Sequence, residues 1–307
     1  MFCIYNPYSH DSLFATWCVK KKFPNCDFIG VHQVFQIGES IYNQAITSKI
    51  GLCIGVQITQ DDITALVKKK VKGLLIIDTA NTVTKLVLPD NISILHKENE
   101  SLCVMTHKNL SETPVPELFR YLQDQELMEH EFLESNYIMS YLDSQPKTFE
   151  SHECIMAQDP INFFEEGKLL YGLVVAQVND ILYRWSNKPV PFCGWAVPFL
   201  NVPNHLHRAC VERLGKGYPF IVCYSIMDTT VDVRLYSHDE GLDVEQIVLQ
   251  YGGFGSHRKA QFFADLDLFS FSGDGQEHLY IKKVTQDMLN ILSGYVLPQG
   301  ARNQTLH

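Results

Sequence analysis

The sequence lacks any apolar run approaching the ~20 residues needed to cross a bilayer, and so offers no transmembrane helix. It opens directly into Phe2-Cys3-Ile4-Tyr5, without a basic n-region or a cleavable apolar segment, so no address to a membrane or to secretion is expected. Paired Cys-x-x-Cys spacing is also missing. The nine cysteines, at 3, 18, 26, 53, 103, 154, 193, 210 and 223, are an odd number, which argues against a disulfide framework and a zinc ribbon. They read as small core residues of a protein in the cytoplasm or another reducing compartment. Positive charge is scarce: 25 Lys and Arg against 35 Asp and Glu leave a formal charge of −10. Indiscriminate grip on a polyanion needs clustered cations, so that class of function is disfavoured. Internal repeats and low-complexity tracts are absent as well.

What is present is the composition of a globular chain, 46% hydrophobic and 20% charged over 307 residues, long enough for two domains. In the first half, short apolar runs alternate with helical stretches. Phe2 to Asn6 predicts a strand, Ser12 to Phe23 a helix, Asp27 to Val31 extended structure, and Leu52 to Ile58 a continuous apolar strand. Thr59-Gln60-Asp61-Asp62 predicts a helix start, with acids at the positive end of the dipole. Leu74 to Ile77 and Ile92 to Leu95 predict buried strands ending in Asp78 and His96. The rhythm is α/β with a mostly parallel sheet and flanking helices. Such sheets bind ligands outside the carboxyl ends of their strands, where Asp11, Asp78 and His96 fall. Any one of them alone is better read as the cap of a helix or turn, but three together point to a site.

Pro116 opens a predicted helix that ends near Asp124, and apolar recurrence predicts a longer one over Phe163 to Trp185. Ser144-Gln145-Pro146-Lys147 suits a linker between the halves. Residues 1–143 are thus expected to form one domain, 144–162 a linker, and 163–307 a smaller α/β domain. That second part holds hairpin-like pieces at Phe192 to Leu200 and Pro219 to Ile226, a strand at Val231 to Tyr236, and a helix from Val244 stopping at Gly252-Gly253. His205-Leu206-His207 has a spacing that suits a metal site or merely alternate residues of a strand or turn. Cys210 and Cys223 lack the nearby His pattern of a nucleophile.

Val231 to Phe263, VDVRLYSHDEGLDVEQIVLQYGGFGSHRKAQFF, resembles the DHHA1 pattern of a strand, a Ser-x-Arg-Ser segment, a short helix and a Gly-Gly-Gly-Gly-His-x-x-Ala-Ala-Gly-Phe loop. Upstream, Ile4-Tyr5-Asn6 through Asp11 to Trp17 resembles the opening motif of the phosphohydrolase-like branch of the DHH phosphoesterases, and Leu118 to Tyr141 its Asp-x-Asp-Leu helix. The resemblance implies a DHH-like domain followed by a DHHA1-like domain, with a cleft where carboxylates and imidazoles hold two Mn²⁺ ions that activate water against a phosphodiester.

Residue by residue, the sequence departs from that pattern. Asn6 stands for the first-strand His, Ser9 for the earlier acid and Ser12 for the Gly after Asp11. Asp78 keeps its acid, whereas Asp-His-His falls on Leu95-His96-Lys97. Asp124 keeps the first acid of Asp-x-Asp and Glu126 replaces the second. Leu95 offers no donor and Lys97 brings an ammonium, so a two-metal cluster is not expected. Asp11, Asp78, His96 and Asp124 remain the candidate catalytic and metal residues, expected to converge in one cleft with either no ion or one Mn²⁺. In the last loop, Gly253, Gly255, Ser256, His257, Arg258 and Lys259 are the candidate substrate-binding residues. Phe254 replaces a Gly there, Gln261 and Phe262 stand for Ala and Gly, and Tyr236 stands for the substrate Arg, removing a bidentate clamp. The alternative is a helix C-cap and an exposed basic turn. The expected function is a pseudoenzyme acting as a nucleotide or short-RNA binder or as a subunit of a protein assembly. The alternative is a Mn²⁺-dependent phosphodiesterase or 3′-5′ oligonucleotide exonuclease with a reduced site.

Overall fold

The computed structural model describes residues 1–31, 49–129, 131–184, 189–214, 217–227, 229–238, 241–265, 269–271 and 279–281. The first half runs β1 (Phe2–Tyr5), α1 (His10–Lys22), β2 (Asp27–Gly30), β3 (Ile50–Ile54), α2 (Gln60–Lys68), β4 (Gly73–Asp78) and β5 (Ile92–His96). Helices α3 (Leu102–Leu110), α4 (Glu117–Glu126), α5 (Leu133–Ser144), α6 (Phe149–Met156) and α7 (Phe164–Arg184) follow. The five strands form one sheet in the order β2-β1-β3-β4-β5, parallel throughout. The strands read as apolar runs because both faces are covered. Phe2, Ile4, Cys53, Leu74 and Ile76 pack with Ile63 and Leu66 of α2 on one face. Cys3, Leu52, Ile54 and Ile77 pack on the other with Phe14 of α1, Met105 of α3 and Phe119 of α4, as a side-chain period of two requires.

Local chemistry sets the element ends. Thr59 caps α2 in a reciprocal capping box with Asp62, so the Thr59-to-Asp62 start is realised. β3 ends at Ile54, four residues short of the expected Ile58. Gly55 adopts φ +59° and gives its N–H to the Ile77 carbonyl at 3.0 Å, which turns the chain out of the sheet. Within the stretch expected to link the halves, residues 149–156 form α6, whose His152 and Ile155 are buried.

The second half contains β6 (Val190–Phe192), β7 (Trp195–Val197), β8 (Phe199–Asn201), α8 (His207–Leu214), β9 (Ile221–Met227), β10 (Thr230–Tyr236), α9 (Val244–Leu249), β11 (Phe254–Gly255) and β12 (Lys259–Asp265). β13 (Phe269–Phe271) and β14 (Leu279–Ile281) pair with each other. The main sheet here has the order β11-β12-β10-β9-β8 and is antiparallel except between β8 and β9. Along β10, Val231, Val233 and Leu235 pack against Val244 and Val248 of α9. Tyr236 joins the opposite core with Val178 of α7 and Cys210 of α8. The architecture is α/β, a parallel sheet with flanking helices followed by a mixed sheet with its own cores, in agreement with the sequence. Seven of the nine cysteines are buried and all are free. Among the described residues, no helix is long and apolar enough to cross a membrane.

Candidate functional site

Of the acids singled out by the sequence, Asp78 ends β4, Asp11 lies in α1 and Asp124 in α4, and each has a post of its own. Asp11 lies in the first turn of α1 and is 3% exposed. Its Oδ2 accepts the Leu102 N–H and its Oδ1 the Cys103 N–H, both at 2.8 Å. It therefore caps α3, an arrangement a helix N-terminus favours. Burial and the nearby Glu126 carboxylate push its carboxyl up to about 6, against the pull of those hydrogen bonds. Asp78, at the end of β4, accepts from the Ala80 N–H at 2.9 Å. Burial raises it to about 6 as well, with the Ala80 and Thr79 N–H groups and His96 acting in the opposite direction. His96 pairs with Asp78 in the strand register, and its Nδ1 donates to the Asp78 carbonyl at 3.0 Å, so it meets the main chain rather than the carboxylate. Asp124, 1% exposed, accepts the Glu131 N–H on Oδ1 at 2.7 Å. Its buried Oδ2 has no hydrogen-bond partner among the described residues.

Two residues further along α4, Glu126 binds the Lys259 ammonium at 3.0 Å. Burial alone would raise the Glu126 carboxyl, but Lys259, Arg208 and His10 together hold it below the usual carboxylate range. His10 belongs to a buried relay that local spacing did not reveal. Its Nε2 lies 3.2 Å from Asp143 Oδ1 and its Nδ1 lies 3.3 Å from His152 Nε2, while His152 Nδ1 lies 2.7 Å from the Thr148 carbonyl. A carbonyl can only accept, so the His152 proton sits on Nδ1 and Nε2 is left as acceptor. His10 Nδ1 then faces that acceptor, and its Nε2 faces the Asp143 carboxylate. Burial first, and beyond it the neighbouring His10 and Lys147, drive His152 down to about 4 against the pull of the Thr148 carbonyl. Burial would raise Asp143, but His10, then Lys147 and His205, keep it below its ordinary value. His10, Asp143 and His152 lie on α1, α5 and α6, with His10 more than a hundred residues from the other two in chain order, and no short motif announces such a triad.

The residues present do not fit a Mn²⁺ ion well. Asp11 caps α3 through both oxygens and Glu126 is answered by an ammonium, while His96, whose Nδ1 bonds a carbonyl, keeps only Nε2 to offer an ion. Among the described residues, no group of three or more His, Cys, Asp or Glu side chains is placed to hold a metal. His205 and His207 are separated by a helix start: His205 lies in the turn Asn204–Leu206. His207, buried at the head of α8, bonds the Val202 carbonyl and the Tyr236 hydroxyl at 2.9 and 3.2 Å.

The glycine-rich loop is a hairpin end. Gly253 gives its N–H to the Val248 carbonyl, closing α9, and a side chain there would run into the Gln261 carbonyl. Gly255 belongs to β11, and the Ser256 N–H donates to the Lys259 carbonyl at 2.8 Å. The His257 carbonyl accepts from Val244, the first residue of α9, and its ring stands 3.8 Å from Asp243. Arg258 donates to the Leu127 carbonyl at 2.8 Å. The loop thus faces the first half, and its two cations clasp the end of α4. At the position expected for a substrate Arg, Tyr236 is buried. Two residues earlier on the same face of β10, Arg234 forks onto Asp232 with contacts from 2.7 to 3.3 Å. This guanidinium is displaced by one strand repeat from the expected place, and alternation along β10 was the signal that could have found it.

The parallel five-stranded sheet with its flanking helices, followed by the mixed sheet, is a fold shared with solved structures. The structure of RecJ in complex with Mn²⁺ from Thermus thermophilus shares this fold at a TM-score of 0.51 and 12% identity. The match covers 87% of this chain and 50% of that one, so this chain spans about half the length of that RecJ. An exopolyphosphatase-related protein from Bacteroides fragilis is also similar, at a TM-score of 0.47 and 8% identity over 95% of this chain and 90% of that one. No protein-family profile and no curated protein sequence matches the chain.

Proposed function

We propose that this chain is a DHH/DHHA1-fold protein without phosphodiester hydrolysis, with lobes at 1–143 and 163–307, that serves as a subunit of a protein assembly inside a reducing compartment. The observation that carries the reading is the state of Asp11: both carboxylate oxygens accept amides from the N-terminus of α3. The carboxylate is thereby committed to a buried helix end, and an ion would have to share it with both amides. The cations of the second half have comparable commitments. Lys259 bonds Glu126, Arg258 the Leu127 carbonyl, Arg208 Glu212 and Arg234 Asp232. A nucleotide or short RNA would have to displace such partners, so this reading ranks anion binding in the cleft as weak and secondary to assembly.

The test is an activity and occupancy measurement on one preparation. With Mn²⁺ added, short RNA and bis(p-nitrophenyl) phosphate are expected to be hydrolysed no faster than in protein-free controls. The Mn²⁺ electron paramagnetic resonance signal should remain that of the free ion. Robust turnover abolished by Asp78→Ala would overturn the proposal.

A further inference from the structure

The parallel sheet has a second edge, at the amino ends of its strands and opposite the one where Asp78 and His96 end β4 and β5. Helices α1, α2 and α3 run back against the strands, so their last turns finish at this edge. A groove of about 350 Å³ opens here, lined by Phe23 and Leu110 beside the ends of α1 and α3 and by Ile50, Leu52, Leu74 and Leu75 of β3 and β4. Ile50 is left 59% exposed. The surroundings of the groove are basic. Lys22, Lys49 and Lys72 directly precede the lining residues Phe23, Ile50 and Gly73, and the Lys72 N–H donates to the Lys49 carbonyl at 2.9 Å. Lys68, Lys69 and Lys70 follow one another at the end of α2. These ammonium groups outnumber the acids of the edge, Asp27, Asp90 and Glu112, and exceed the partial charges of the helix ends. Among the described residues, Lys49 alone of the six is in an ion pair, with Asp27. In a chain of formal charge −10, this edge is a local reversal of sign.

We propose that the groove docks an acidic segment of a partner protein, anchored by a large apolar side chain, with Asp or Glu beside the anchor facing the lysines. The proposal gives the subunit reading above a partner chemistry and rests on that reading. Charge complementarity chooses the partner's sign, and the walls choose its class. Five of the six apolar lining residues are aliphatic, which suits a Leu, Met or Phe anchor and gives bases little flat surface to stack on. The cations are Lys throughout, without the planar Arg fork that phosphate recognition favours. The chain's own residues 282–307 carry Lys282, Lys283 and Arg302 against Asp287, the wrong sign for this edge. Docking here leaves the opposite edge of the sheet free.

A phage-displayed library of random peptides panned on the full chain is expected to enrich acidic sequences that carry a Leu, Met or Phe. A synthetic copy of the enriched peptide should bind with a Kd on the order of 10 µM in fluorescence anisotropy. Ile50→Asp should weaken it about tenfold or more, as should Lys22→Glu combined with Lys72→Glu, and added salt should weaken it further. All three positions are exposed, and circular dichroism of each variant checks that the fold is kept. No enrichment over the blank support, enrichment of neutral or basic peptides, or binding indifferent to either variant would overturn the proposal. An RNA oligonucleotide is expected to be indifferent to Ile50→Asp; RNA binding that this variant abolishes would reassign the edge to nucleic acid. Hydrolysis in the cleft, measured separately, would end the subunit reading, whereas failure of the panning alone would end this proposal and leave that reading standing.

Discussion

Asp78 and Asp11 are each pushed up to about 6, first of all by burial, whereas carboxyls in an unfolded chain titrate near ~3.9. Between about pH 4 and pH 6 the folded state therefore binds more protons than the unfolded one. The sign follows: the contribution of these groups is fully present below that window and is lost as pH rises through it. Asp78→Asn keeps an oxygen for the Ala80 N–H and removes the buried charge. It is expected to flatten the dependence of the melting temperature on pH from about 4.5 to 7, and to add about 1–2 kcal/mol at pH 7. Superimposable profiles for variant and parent would refute this. Asp11→Asn should behave differently, because both of its oxygens accept an N–H and an amide group can accept only on one. A loss of about 1–3 kcal/mol in urea denaturation is expected, much of it from the uncapped amide. The acids themselves were legible in the sequence as residues after strand ends, but their partners were not. Asp11 answers amides 91 and 92 residues away, and no local pattern encodes that distance.

Among the elements, those whose signals are local came through the sequence best: the apolar runs of β1, β4 and β5, the Thr59 start of α2, and the recurrence along α7. Those that depend on a neighbour did not. β3 stops where Gly55 turns toward Ile77, and α6 is held by its packing on α1, neither of which apolar periodicity records. The packing of α5 on α7 is another such case. A Cβ at Gly167 would collide with the main chain of Tyr137, carbonyl and Cα alike, so the two helices touch backbone to backbone there. Gly167→Ala is expected to wedge them apart and cost about 2–4 kcal/mol despite the better helix propensity of alanine. A thermal midpoint equal to or above that of the parent would show that this crossing yields freely.

In the whole molecule, the side-chain contacts that tie the two halves include Lys259 to Glu126, Arg258 to the Leu127 carbonyl, and Asn81 to Glu245. The Lys259–Glu126 pair is partly exposed, at 38% and 29%, so salt should weaken it. Arg258→Ala combined with Lys259→Ala is expected to speed amide exchange at residues 124–129 and 256–260 while the centres of both sheets stay protected. In the parent, a nucleoside monophosphate should bind only weakly and less so with added salt. Equal affinity in parent and double variant, or none in either at millimolar ligand, would leave the pair with the clasp as its only role. Sheet order has a further consequence, for the chain as it leaves the ribosome. β1 lies inside its sheet, with β2 on one flank and β3, β4 and β5 laid down successively on the other. In the second sheet β8, β9, β10 and β12 likewise follow one another edge to edge. Each of these strands can dock on an open edge of a strand made earlier, so both sheets can accrete in the order of translation, with no finished strand pried out to admit a later one. The clasp, joining residues more than 130 positions apart, can close only once the start of β12 has emerged, after the first sheet is complete.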